Sequence, residues 1–110
     1  MIAAPPLPAA VFELKSAALD LVALRLATAD LDALAQALHQ RYAATPGLFD
    51  QDPVLIDLDA LREADAGIDF PALVALLRGQ GLLAVAVRGG SANQTAAARA
   101  AGLAEAQAVA

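Results

Sequence analysis

Six consecutive residues, Leu82-Leu83-Ala84-Val85-Ala86-Val87, carry no polar side chain, and glycines bound them at Gly81 and, past Arg88, at Gly89-Gly90. A strand apolar on both alternating faces belongs inside a parallel sheet that is covered on two sides. Such a strand is reached by crossover connections, so helices are expected before and after it. The flanks meet that demand. Upstream, Asp69 offers a cap, Pro71 sits in the first turn, Leu73, Leu76 and Leu77 face inward, and Gly79 or Gly81 ends the helix. Downstream, Ser91-Ala92-Asn93-Gln94 has the S-x-x-Q form of a capping box and opens an alanine-rich helix closed by Gly102.

The same alternation extends toward the N-terminus. Pro53-Val54-Leu55-Ile56-Asp57-Leu58 reads as a strand with proline at its tolerated first position. Before it, Leu31, Leu34, Ala35, Leu38 and Tyr42 recur at helical spacing as one apolar stripe, capped by Asp30 or Thr28 and stopped by Pro46-Gly47. Val11–Lys15 and Leu19–Leu26 read as two strands joined by Ser16-Ala17-Ala18, a hairpin without the Asn-Gly signature. Asp59 to Gly67 is polar and partly irregular, and Leu103 to Val109 supplies a last edge strand. The expected fold is a single α/β domain over 11–110: a small mixed sheet that opens with a β-hairpin and continues in βαβα units, β-β-α-β-α-β-α-β. Residues 1–10 (MIAAPPLPAA) form a flexible Pro/Ala leader, since three prolines oppose both helix and ladder.

Composition narrows the function. The chain is 59% hydrophobic, but 31 of its 110 residues are alanine and 19 are leucine. Alanine favours helix and buries little area. No uncharged stretch reaches the roughly 20 apolar residues of a membrane span, and the N-terminus does not read as a signal peptide. Seven Lys+Arg against twelve Asp+Glu leave a net charge of −5, which argues against a nucleic-acid surface or a polybasic membrane anchor. No cysteine is present, so disulfide, zinc-knuckle and thiol chemistry are excluded. A soluble cytoplasmic domain is the expectation.

Catalytic signals are thin. His39 is the only histidine, lies off the apolar stripe and reads as a surface residue. Asp57, Asp59, Glu63 and Asp65 cluster after a parallel strand, where α/β proteins place sites, and carboxylates there suit Mg²⁺. The plainer reading, solvated acids and helix caps, is preferred. Gly79-Gln80-Gly81 imitates half of a dinucleotide fingerprint in reverse context, between a helix and a strand. Gly89-Gly90-Ser91 sits at a strand-to-helix turn, but no lysine follows to hold a phosphate. The expectation is a non-enzyme with no cofactor and no metal.

Taken in order, several segments carry a resemblance: Phe12-Glu13-Leu14-Lys15, the Leu31–Tyr42 helix, Pro46-Gly47-Leu48-Phe49, Pro53 to Leu58, and Gly81-Leu82-Leu83-Ala84-Val85-Ala86-Val87-Arg88-Gly89. From about Val11 to Val109 the chain resembles the N-terminal domain of the septum-site-determining MinC family, bacterial cell-division inhibitors. The resemblance implies a protein that binds FtsZ and destabilises its polymers, preventing septa at wrong sites. It also implies a C-terminal β-helical domain, outside these 110 residues, that dimerises and binds MinD, so that membrane recruitment runs through MinD alone. Family determinants lie at a Lys-Gly pair ending the first strand and on the first helix with its following loop. The lysine matches Lys15, and Ser16 replaces the glycine. Arg41 matches the basic residue late in the helix, and Leu48, with Phe49 beside it, matches the apolar loop position.

Helical geometry agrees with such a patch, since Arg41 falls about 280° around from Leu31, beside the buried stripe. The Val11–Lys15 strand, at an edge, also suits a homodimer or strand swap. A second family offers an alternative. Val54 to Leu58 followed by Asp65-Ala66-Gly67-Ile68 is similar to anti-sigma-factor antagonist (STAS) domains, with Ala66 where their phosphorylatable serine stands.

Overall fold

Each α-helix among the described residues starts on a side chain able to replace the missing backbone partners of its first turn, and the two inner strands of the sheet run between helices. In the computed structural model, which describes residues 11–106, the elements are β1 (Val22–Arg25), α1 (Leu31–Tyr42), β2 (Asp52–Asp57), a 3₁₀ turn (Asp59–Leu61), α2 (Phe70–Gly79), β3 (Leu82–Arg88), α3 (Ala92–Ala100) and β4 (Ala104–Glu105). The Asp30 carboxylate accepts from the amides of Asp32 and Ala33 at the start of α1. Asp69 accepts from Ala72 at the start of α2. At α3, Ser91 accepts from the Gln94 amide while the Gln94 side chain accepts from the Ser91 amide, the reciprocal capping box.

The four strands lie in the order β1-β2-β3-β4, and every pairing is parallel. Sequential parallel strands joined by crossovers of one hand place all the helices on one face of the sheet. Packing agrees. Val54, Ile56, Leu58, Leu82 and Val87 form one buried cluster with Leu38 of α1, Phe70, Leu73 and Leu77 of α2, and Ala98 of α3. Fully burying a side chain such as Leu73 or Phe70 contributes about 2 kcal/mol.

The α/β class, single domain and helix positions agree with the sequence-based expectation. Two features differ. The opening hairpin is not formed: Val11–Lys15 is not a strand, every residue from Val11 to Val22 is exposed, and the described sheet is wholly parallel rather than mixed. The expected strand Leu19–Leu26 shortens to the four residues of β1. Alternation alone does not hold a strand when its apolar face meets nothing, and Phe12 and Leu14 remain 70% and 89% exposed. The second difference concerns β3. The helices cover one side of the sheet rather than two, and Val85 is 39% exposed. Val85 is the extra residue of a bulge, because Val54 pairs with Ala84 while Leu55 pairs with Ala86. The expected leader at 1–10 and the end of the last strand, beyond residue 106, lie outside the described residues.

Candidate functional site

The loop that follows α1 is folded back onto the helix end by short-range hydrogen bonds. The Ala43 amide donates to His39, Thr45 to Tyr42, and Leu48 to Thr45. This winding carries Phe49 to Tyr42, whose rings meet edge-on with centroids 5.0 Å apart and planes at 75°. Arg41 places its guanidinium 5.8 Å from the centre of the Tyr42 ring, in cation–π range. Phe49 packs against the core cluster, while Leu48 stays 53% exposed. A cation, two aromatic rings and an open leucine therefore share one end of the molecule. Beside them, His39, Tyr42, Ala43, Pro46, Gly79 and Gln80 line a groove of about 310 Å³ between the ends of α1 and α2.

The sequence-based candidates thus divide into two groups. Arg41, Leu48 and Phe49 are brought together, with Tyr42 as the link that periodicity had assigned only to the core stripe. Lys15 and Ser16 lie on the exposed segment before β1. Lys15 is 3.8 Å from Glu13 in a fully solvated pair, worth little to stability. Among the described residues no hydrogen bond or ion pair ties Lys15 or Ser16 to Arg41.

The acidic residues after β2 do not converge on one point. Asp57 accepts from the Asp59 amide and faces Arg88 at 3.5 Å, whereas Asp65 turns away toward α3. Among the described residues no group of three His, Asp or Glu side chains could hold a metal ion. Asp65 acts instead as a clasp. Its carboxylate accepts from the Ser91 hydroxyl and, at 2.8 Å, from the Asn93 side-chain amide, with its backbone in the left-handed region at φ 48°. Behind it, the buried Gln94 side chain donates to the carbonyls of Leu61 and Ala66 at 2.9 and 3.1 Å. Sequence spacing identified the capping box but not its second role in holding the 59–68 loop. The signal lay in a glutamine placed where the helix meets the core.

The clasp is pH-sensitive. Hydrogen bonds from Ser91 first and Asn93 second hold the Asp65 carboxyl below its ordinary 3.8. A carboxylate depressed in the folded state contributes stability above its unfolded pKa and loses it as pH falls through the folded value. Asp65→Asn is therefore expected to flatten the acid limb of a melting-temperature profile below about pH 4. An acid limb of unchanged steepness in the variant would remove Asp65 from the account.

Together the fold and this end surface define a small, one-sided parallel α/β domain whose distinctive chemistry is a basic and aromatic-apolar patch on an acidic chain. The family model described as "Septum formation inhibitor MinC, N-terminal domain" matches residues 12–84, and the chain belongs to that family. Similar proteins include those of Bordetella petrii (45% identical over 92 residues), Pseudomonas aeruginosa PAO1 (38% over 90) and Pseudomonas syringae pv. tomato DC3000 (35% over 93), each named as a septum site-determining protein MinC. These alignments cover 82–84% of this chain but only 32–38% of the relatives, so the chain spans about a third of their length. No helix among the described residues is long and apolar enough to cross a membrane.

Proposed function

We propose that this domain is a non-enzymatic inhibitor of septum formation that binds FtsZ and destabilises its polymers. The observation that carries the reading is the Arg41–Tyr42–Phe49 stack with Leu48 open beside it. On a chain of net charge −5, it presents a cation held over an aromatic ring next to exposed apolar surface. Arginine and aromatic side chains dominate the energetics of protein interfaces, and a basic residue on an acidic chain steers an acidic partner toward it. Lys15 and Ser16 contribute from the exposed segment, where serine in place of the family's glycine keeps the backbone nearer ordinary φ values. MinD engages the whole protein through a further domain, and membrane recruitment follows from MinD while the protein itself is cytoplasmic.

The anti-sigma-factor-antagonist alternative rested on Asp65-Ala66-Gly67-Ile68. In the structure Asp65 and Ala66 are spent on α3, and the family model that matches residues 12–84, this segment included, is that of the MinC N-terminal domain. That reading is set aside.

Charge reversal tests the proposal. Arg41→Glu is expected to weaken FtsZ antagonism at least tenfold, about 1.4 kcal/mol or more, in a polymer sedimentation assay, with an unchanged circular dichroism spectrum. Full inhibition by a folded variant would refute the assignment.

A further inference from the structure

The net charge of −5 is not spread evenly over the molecule. With parallel strands in sequential order, the helix C-termini lie at the end where the strands begin, and the helix N-termini at the end where they finish. The second of these ends collects seven carboxylates: Asp30 and Asp32 at α1, four from Asp57 to Asp65, and Asp69 at α2. Three arginines stand against them. Arg25 and Arg88 share a row with Asp57 across β1, β2 and β3, and Arg62 lies in the following loop. Four of the five net negative charges therefore sit at this end.

The opposite end is built differently. Each α-helix carries a basic residue in its last turn, Arg41 with His39 in α1, Arg78 in α2 and Arg99 in α3, where it offsets the negative end of the helix dipole. Arg99 is taken up by Glu105 at 2.5 Å. Arg41 and Arg78 are exposed, and among the described residues neither has a carboxylate within ion-pair distance, although Asp50 and Asp52 belong to the same end. The groove of about 310 Å³ opens between the ends of α1 and α2, with Tyr42 and Ala43 on one side, Gly79 and Gln80 on the other, and no acidic side chain in its lining. Arg78 stands beyond it, on the flank of α2 that meets Leu82 and Leu83 at the start of β3.

We propose that Arg78 is a second anchoring cation of the surface that carries Arg41, and that the two hold carboxylates of an acidic partner face laid across the groove. The inference rests on the inhibitor reading above and adds to it the chemistry of the face that FtsZ presents. Charge complementarity selects an acidic occupant and also orients the domain. An acidic surface attracts the end with two free guanidinium groups and repels the end with seven carboxylates, so the domain lands on its helix C-termini. Arginine suits the role, because its planar fork donates two parallel hydrogen bonds to one carboxylate.

The test is co-sedimentation of this chain with FtsZ polymers, comparing the parent with Arg41→Glu, Arg78→Glu and Arg62→Glu. Arg62→Glu makes the same change in net charge at the acidic end, so it separates position from total charge. Binding is expected to weaken at least about fivefold for Arg78→Glu and to change less than about twofold for Arg62→Glu. Added salt should weaken the parent more steeply than Arg78→Glu, because the variant has lost a screened attraction. Arg78→Gln, which brings no new carboxylate to the end of α2, should weaken binding in the same direction and decides the matter if the reversal disturbs folding. Equal weakening by Arg78→Glu and Arg62→Glu would overturn the proposal, since net charge alone would then be acting. Undiminished binding by a folded Arg78→Glu while Arg41→Glu is weakened would overturn it too, and would leave the Arg41 reading standing. Full binding by Arg41→Glu would remove both.

Discussion

Replacing Gly81 by alanine is expected to lower the melting temperature by roughly 15 °C. Gly81 joins α2 to β3 with φ at +83°, a region that costs an L side chain about 1–2 kcal/mol. A Cβ placed there would overlap the carbonyl oxygen of Phe49 and lie 2.9 Å from its carbonyl carbon. That neighbour is backbone and cannot swing away, so the overlap adds about 1–3 kcal/mol. The Gly81 carbonyl also accepts from the Asp52 amide at 3.0 Å, which fixes the approach from both sides. Relief therefore requires moving Phe49, and with it the Tyr42 ring and Leu48. The FtsZ antagonism proposed for this end of the molecule should fall along with stability. Gly79→Ala is the matched control. Its Cβ would meet nothing within 4 Å and its φ is not positive, so a change within about 1 kcal/mol is expected. Thermal unfolding followed by circular dichroism reads both variants, and equal melting temperatures for the two would show that the Gly81–Phe49 approach is not held in solution.

Gln94→Glu should be the second most damaging change, at about 3 kcal/mol near neutral pH. Gln94 is 3% exposed and uses every polar atom of its side chain. Its amide nitrogen donates to the Leu61 and Ala66 carbonyls, and its oxygen accepts from the Ser91 amide. A glutamate keeps the acceptor but turns both donor contacts into carboxylate facing carbonyl oxygen. Burial and those carbonyls both disfavour the charged form, so the introduced carboxyl titrates above its unfolded value of about 4.3. A group raised in this way costs stability as pH rises from the unfolded value through the folded one. The gap in melting temperature between variant and parent should accordingly narrow as pH falls from about 7 to 5. A gap that is constant over this range would mean that the site admits water and that the glutamine is not holding the loop alone. Gln94→Leu, of similar volume and without charge, should be damaging at both pH values, because the two carbonyls lose their partner.

Much of the helical layer was legible from local signals. Asp30, Asp69 and Ser91 cap the helices that their sequence positions indicate, and the stripe from Leu31 to Tyr42 coincides with α1. These interactions link residues within four positions of one another, so the information they need is local. β2 and β3 were legible too, from branched apolar runs bounded by proline and glycine. Arg41, Leu48 and Phe49 were found on helical phase and resemblance, but the stack that joins them depends on how the 43–49 loop winds back. The hairpin failed because Val11–Lys15 has the right alternation and no surface to bury against.

By itself the sequence determined the class of fold, the starts of all three helices, the two inner strands, and the acidic background on which a few basic residues stand out. Tertiary structure alone decided that the helices gather on one face of the sheet. It also decided that Asp65 reaches Ser91 and Asn93, that Gln94 anchors a loop behind it, and that Arg25, Asp57 and Arg88 share a row. Each of these depends on registers between residues more than twenty positions apart. A shift of one residue along β1, β2 or β3 would turn that strand's own member of the row to the other face.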